Sequence, residues 1–175
     1  MLNKISQTNK GFTLIEVLVA TFMMTVGIGV ALTLVNQTTA FTQVISSRLT
    51  AAYLAQEGLE IVKNIRDTNF LKIHKGVEGV NWNSGLTGCG GGCYNFDYRS
   101  QALPDDTNCS GKTYLIVDSG FYKCSSAASP LRVQRKITIT LVGSDVLKVS
   151  VEVSWQERGR THKVTAQETL YKWMQ

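Results

Sequence analysis

Lys10-Gly11-Phe12-Thr13-Leu14-Ile15-Glu16 runs directly into Val17-Leu18-Val19-Ala20-Thr21-Phe22-Met23-Met24, and the apolar stretch ends only near Val35. From Phe12 onward this is about 24 residues, or ~36 Å of helix at ~1.5 Å per residue, enough to cross a ~30 Å hydrocarbon core with some tilt. Glu16 is the one ionisable side chain in the stretch. An acid at the centre of a membrane helix costs ~2.5–3.5 kcal/mol, less near an end, and such groups usually have a partner. The segment contains no partner. The bland reading is that Glu16 lies close enough to the interface to snorkel.

An ordinary secretory signal fits poorly, because its apolar region should span about 7–15 residues and close on a small-x-small cleavage site. Lys4 and Lys10 precede the run, and no basic residue follows until Arg48. By the positive-inside tendency, the leader is cytoplasmic and the bulk of the chain extracytoplasmic.

With 175 residues, the portion outside leader and apolar run has the size of one domain. The formal charge of +5 comes from 18 Lys and Arg against 13 Asp and Glu, a mild excess. Arg132, Arg135 and Lys136, with Arg158, Arg160 and Lys163, form a basic cluster that could attract acidic surfaces. No nucleic-acid motif or base-stacking pattern accompanies it, so the favoured reading is solvated strand and turn charge with no specific nucleic-acid partner.

Beyond Val35 the chain stays helix-compatible, with no proline before Pro104. Phe41, Val44, Ile45, Leu49 and Ala52, then Leu54, Ile61, Val62 and Ile65, recur with 3.6-residue periodicity. They predict one long helix from about Phe12 to about Arg66, its first half in membrane or fibre core and its second half on a globular head. Gly27, Gly29 and Gly58 are its weak points, each costing ~1 kcal/mol against Ala.

A glycine-rich irregular region follows, with strand-like pieces at 94–99, 113–118 and 121–123. The C-terminal part is better patterned. Val133, Ile137, Ile139 and Leu141 mark one strand, and Gly143-Ser144-Asp145 a turn. Leu147, Val149, Val151, Val153 and Trp155 alternate with Lys148, Ser150, Glu152 and Ser154, and a third strand follows the Glu157-Arg158-Gly159 turn. A meander with one apolar face needs a cover, and the amphipathic half of the helix supplies it. The expected fold class is α+β, a long N-terminal helix packed on a C-terminal antiparallel sheet. The divisions are 1–11 leader, 12–35 transmembrane or fibre-core helix, 36–70 amphipathic helix, 71–130 loops with short strands, and 131–175 meander.

Cys89, Cys93, Cys109 and Cys124 all fall in the extracytoplasmic part, an even count that suggests two disulfides with three possible connectivities. The first choice is Cys89 with Cys93, across the flexible Gly90-Gly91-Gly92, and Cys109 with Cys124. A four-thiolate zinc site is the rival, weakened by the absence of a knuckle pattern. His74 and His162 have no nucleophile or metal companion, and neither a Gly-x-Ser-x-Gly elbow nor a phosphate-binding loop occurs. Asp97, Asp105, Asp106 and Asp118 lack EF-hand spacing and read as turn and edge residues. The chain is therefore not read as an enzyme, and no cofactor or metal is expected.

The segment Lys10-Gly11-Phe12-Thr13-Leu14-Ile15-Glu16 resembles the prepilin cleavage and methylation motif of type IV pilins and type II secretion pseudopilins. The resemblance implies that a prepilin peptidase cuts between Gly11 and Phe12 and that Phe12 is N-methylated. It also implies that Glu16 pairs with the N-terminal ammonium of a neighbouring subunit during assembly. Many major pilins carry a proline in the apolar run, which this chain lacks. The segments Ala52-Tyr53-Leu54-Ala55-Gln56-Glu57-Gly58-Leu59-Glu60 and Val149-Ser150-Val151-Glu152-Val153-Ser154-Trp155 resemble PilV-like minor pilins. The expectation is a minor pilin that primes, assembles or decorates a filament. Its implied partners are other pilin subunits, the peptidase and an inner-membrane assembly platform. It would be a single-pass inner-membrane protein before assembly and part of the filament or cell surface afterwards. A pseudopilin and a permanently anchored adhesin are the alternatives.

Overall fold

The computed structural model describes residues 11–94, 96–105, 108–127 and 132–173; the basic leader with Lys4 and Lys10, and Asp106, lie outside them. In chain order the elements are α1 (Leu14–His74), β1 (Tyr114–Asp118), β2 (Phe121–Ser125), β3 (Gln134–Val142), β4 (Val146–Glu157) and β5 (Arg160–Tyr171). One long N-terminal helix with antiparallel strands makes the α+β, pilin-like arrangement. Two compact units divide the chain, Met1–Gln43 and Val44–Gln175.

In the first unit the side chains are exposed around nearly the whole helix circumference, among them Phe22, Met23, Met24, Ile28, Val30 and Leu34. A helix apolar all round is at home only in an apolar surrounding. Among the described residues, α1 holds the one segment long and apolar enough to cross a membrane.

In the second unit, β3, β4 and β5 form a meander in which Ile137 faces Val151 and Val151 faces Ala166, with Leu141, Leu147 and Leu170 in a parallel row. Alternation puts Ile137, Ile139, Val149, Val151, Val153 and Trp155 on the covered side. Arg158 and Gly159 both take positive φ, the two-residue turn that suits the twist of a hairpin. The cover is α1, through Ala51, Leu54, Ala55, Gly58, Ile61, Val62 and Ile65. Full burial of each Val, Leu or Ile contributes roughly 1.5–3 kcal/mol.

Two expectations for the helix need correction. The buried stripe begins at Ala51, with Val44, Ser47 and Thr50 half-buried before it, while Phe41, Ile45 and Leu49 are exposed; at the helical period Ile45 and Leu49 lie to one side of the row that Val44, Ser47 and Ala51 form. The helix also continues past Arg66 to His74. It ends in a Schellman cap, where Gly76 at φ 74° lets its N–H reach Ile73 O (2.9 Å) and Val77 N–H reach Lys72 O (3.0 Å). Similarly, 94–99 holds no strand among its described residues. Cys93 makes an isolated bridge to Ile137, and the chain then turns around Asp97.

The loops carry core as well. Trp82, Leu86, Phe96 and Leu103 are buried, and Asn69, itself buried, donates to Trp82 O (3.2 Å) and Ser84 O (2.8 Å), which joins the loop to the helix. Arg135, read in the sequence as solvated, is fully buried on the inner sheet face. Its Nη1 donates to Leu54 O (3.1 Å) and pairs with Glu57 (3.1 Å), while its guanidinium carbon lies 4.6 Å from the Phe96 ring centre. Burial pulls its pKa below the ordinary guanidinium value, against the opposing pull of Glu57.

Gly58 sets the spacing of helix and sheet, since a Cβ there would stand 2.7 Å from Val151 Cγ1 and 3.3 Å from Arg135 Cδ. Alanine at an open helical position would stabilise by ~1 kcal/mol; here overpacking costs ~1–3 kcal/mol and dominates. Gly58→Ala should therefore lower the denaturant midpoint. Gly58→Ala with Val151→Ala should be less destabilised than the two single changes added together, and strict additivity would show that the contact does not set the spacing.

Candidate functional site

The amino-terminal helix carries the first set of candidate residues. Thr13 caps it: Glu16 N–H reaches Thr13 Oγ1 (3.3 Å) and Thr13 O (3.1 Å). Thr13-x-x-Glu16 is the sequence form of a capping box, a signal the motif-based reading passed over. Glu16 in the first turn also faces the positive end of the helix dipole. Gly11 and Phe12 precede the helix and are exposed, Phe12 at 83 %.

The apolar run contains threonines, which would be costly in hydrocarbon if their hydroxyls were unpaired. Each bonds back to its own helix. Thr21 donates to Val17 O (3.0 Å), Thr25 to Phe22 O (2.8 Å) and Thr33 to Gly29 O (3.0 Å). Among the described residues, nothing lies within 4 Å of the places where Cβ atoms would stand on Gly27 and Gly29. The helix thus offers an apolar surface with its hydroxyls internally bonded and one carboxylate near its start.

The second set lies in the loops. Cys89 is joined to Cys93 and Cys109 to Cys124, with Cα separations of 5.3 and 5.4 Å. The Cys89–Cys93 loop runs along the outer edge of β3, where Cys93 and Ile137 exchange two 2.8 Å bonds and Ile139 N–H reaches Cys89 O (3.2 Å). The other disulfide sits beside Asp97, whose carboxylate is inaccessible to solvent and accepts from Arg99 Nη2 (2.6 Å), Arg99 N–H (2.9 Å) and Cys124 N–H (3.3 Å). Ser100 Oγ donates to Asp105 (2.7 Å).

Asp97, Cys109 and Cys124 bring potential metal donors within 4.8 Å of one another. The two sulfurs are bonded to each other and the carboxylate is engaged by Arg99 and backbone amides, so these donors are spent. Asp118 pairs with Lys123 (2.7 Å). His162 stacks on Trp155, with ring centres 5.4 Å apart.

A family model described as a prokaryotic N-terminal methylation motif matches residues 6–32. No curated protein and no solved structure gives a significant match. The matched motif, with the long apolar helix behind it, supports a type IV pilin-like or pseudopilin protein and fits a single-pass membrane-anchored chain. It implies processing by prepilin peptidase and assembly with other pilins.

Burial acts to raise the pKa of Asp97, but Arg99 and the amides of Arg99 and Cys124 outweigh it and hold the carboxyl below its ordinary value. With the folded-state value depressed, the stabilisation is complete above the unfolded carboxylate value of ~3.9 and is lost as pH falls through the folded-state value. Asp97→Asn should cost about 1–3 kcal/mol at neutral pH. Thermal unfolding followed from neutral to strongly acid pH should show that gap closing below about pH 4; a constant gap would mean that Asp97 acts through shape rather than charge.

Proposed function

We propose that this chain is a minor pilin of a type IV pilus that primes, assembles or decorates the filament. The observation that carries the reading is the uncovered apolar helix with Glu16 as its one acid, immediately behind Gly11 and Phe12. Gly11 leaves the scissile bond without a side chain to obstruct a peptidase, and Phe12 becomes the methylated first residue of the mature chain. In the membrane the helix is held by lipid; in the filament the helices of other subunits replace the lipid. Glu16 then meets the terminal ammonium of a neighbour, the partner its own segment lacks. The exposed Ile45, Leu49 and Tyr53 extend the apolar surface beyond the membrane segment and suit packing between subunits. An inner-membrane assembly platform would receive the processed chain, and the disulfide-bonded loops would face outward. A type II secretion pseudopilin would use the same segment, and immunogold labelling of sheared filaments separates the two.

Intact-mass spectrometry of chain extracted from cells with prepilin peptidase should give a product beginning at methylated Phe12. Gly11→Leu should accumulate the unprocessed form. A mature chain still beginning at Met1 in the unsubstituted protein would remove the basis of the proposal.

Glu16 also lies in the first turn of the helix, so its charge and its helical fit need separate variants. Gln is compatible with the capping position yet carries no charge. Glu16→Gln and Glu16→Ala should both be cleaved normally and keep a folded head. Both should be lost from filaments by more than a hundredfold, as expected when a buried ion pair worth ~3–5 kcal/mol is broken on one side. Incorporation of Glu16→Gln at the unsubstituted level would mean that the charge of Glu16 has no part in assembly.

A further inference from the structure

We infer that the basic end of the sheet is a docking surface for anionic phospholipid headgroups, which holds the head against the bilayer before assembly. The start of β3, the end of β4 and the start of β5 lie together at one end of the sheet, since Gln134 is opposite Ser154, Ser154 opposite Lys163, and Glu157 opposite Arg160. That end carries Arg132, Arg158, Arg160 and Lys163. Arg132 lines a shallow pocket with Gln156 and Thr161, and Arg158, Arg160 and His162 line another with Glu157 and Val44. Arg48 stands one helical turn after Val44 on α1. Among the described residues of β3, β4 and β5 at this end, two carboxylates accompany these five cations, Glu152, paired with Lys163 (3.4 Å), and Glu157, which accepts from Trp155 Nε1 (3.4 Å), so the charges named here sum to +3. The opposite end of the sheet meets the far end of the helix, where Phe70 lies against Trp173 (4.9 Å), and there Lys148 and Lys172 are interspersed with Asp145 and Glu168.

The position selects lipid as the partner. Val44 follows Val35, the end of the apolar stretch, by nine residues of helix, about 14 Å at the usual rise. Even fully extended, nine residues reach only ~30 Å, so the covalent link alone keeps Val44 and the pocket it lines within that distance of the apolar segment. Juxtamembrane Lys and Arg are drawn to anionic lipid there, within a Debye length of ~8 Å. The Arg158-Gly159 turn, with φ of 51° and 74°, fixes its own backbone and presents arginines on both sides of Gly159. Any ligand rich in phosphate would satisfy the charge, but only a lipid surface is brought here by the chain's own anchor. The inference rests on the membrane-anchored reading proposed above.

The test uses the full chain reconstituted into phosphatidylcholine vesicles with and without phosphatidylglycerol, read by flotation and by amide hydrogen exchange of the peptide spanning 156–161. Flotation with both lipids together with exchange slowed roughly fivefold or more only on phosphatidylglycerol, reversed by high salt, is the expected result. Arg158→Ser with Arg160→Ser should abolish the slowing, whereas Lys148→Ser with Lys172→Ser should leave it unchanged. Inorganic phosphate added to phosphatidylcholine vesicles should not reproduce it. Flotation with both lipids and identical exchange would overturn the docking surface while leaving the anchor intact. Slowing that is equal on both lipids would overturn it in favour of a protein contact, and failure to float with either would overturn the anchor reading and this inference with it.

Discussion

At Gly58 the backbone of the helix lies against the side chain of Val151 with no room for a methyl group between them. The rest of the head is organised by that approach. It lets Val62 and Ile65 on one side, and Leu54 and Ala55 on the other, reach the sheet, and it places Leu54 O within reach of Arg135. A larger residue would lift the helix and strand the guanidinium. A buried charge parted from its partner typically costs ~3–5 kcal/mol. The intrinsic weakness of glycine in a helix is thus offset by the contact that only glycine allows, and a position that looks like a flaw in the propensity profile is where helix and sheet are joined.

The same helix serves two surroundings, and its sequence changes character to suit each. Up to about Val35 it is apolar on all sides, with hydroxyls turned back on the backbone. From Ala51 it is apolar on one side only, with Glu57, Glu60 and Lys63 on or beside the other. Between them, Phe41, Ile45 and Leu49 follow the helical period without being buried. Periodicity marks where a helix is able to pack; it does not state which partner covers it. Among the described residues, nothing in the chain buries these three.

That distinction explains what the sequence made legible. The alternation from Leu147 to Trp155 determined a strand, its inner face and the need for a covering helix, and the sheet has that form. Arg135 shares the parity of Ile137 and Ile139, so its inward direction could have been read; charge alone suggested solvent. The His74-Lys75-Gly76 ending was likewise readable as a helix stop. The buried loop residues Trp82, Leu86, Phe96 and Leu103 were not, because they follow no period and are placed by Asn69, Asp97 and the disulfide-bonded loops. The Thr13 cap was readable too, and it engages the backbone N–H of Glu16 rather than its carboxylate.

The inward-turned hydroxyls of Thr21, Thr25 and Thr33 bear on how such a helix could leave a bilayer. Their hydrogen bonds are internal, so exchanging lipid neighbours for protein neighbours breaks none of them and makes none; one set of dispersion contacts replaces another of similar strength. A transfer of this kind has little side-chain selectivity of its own. In the filament proposed above, direction and register would then fall to the single charged group at the start of the helix, the one feature by which one neighbour differs from another along an otherwise uniform rod.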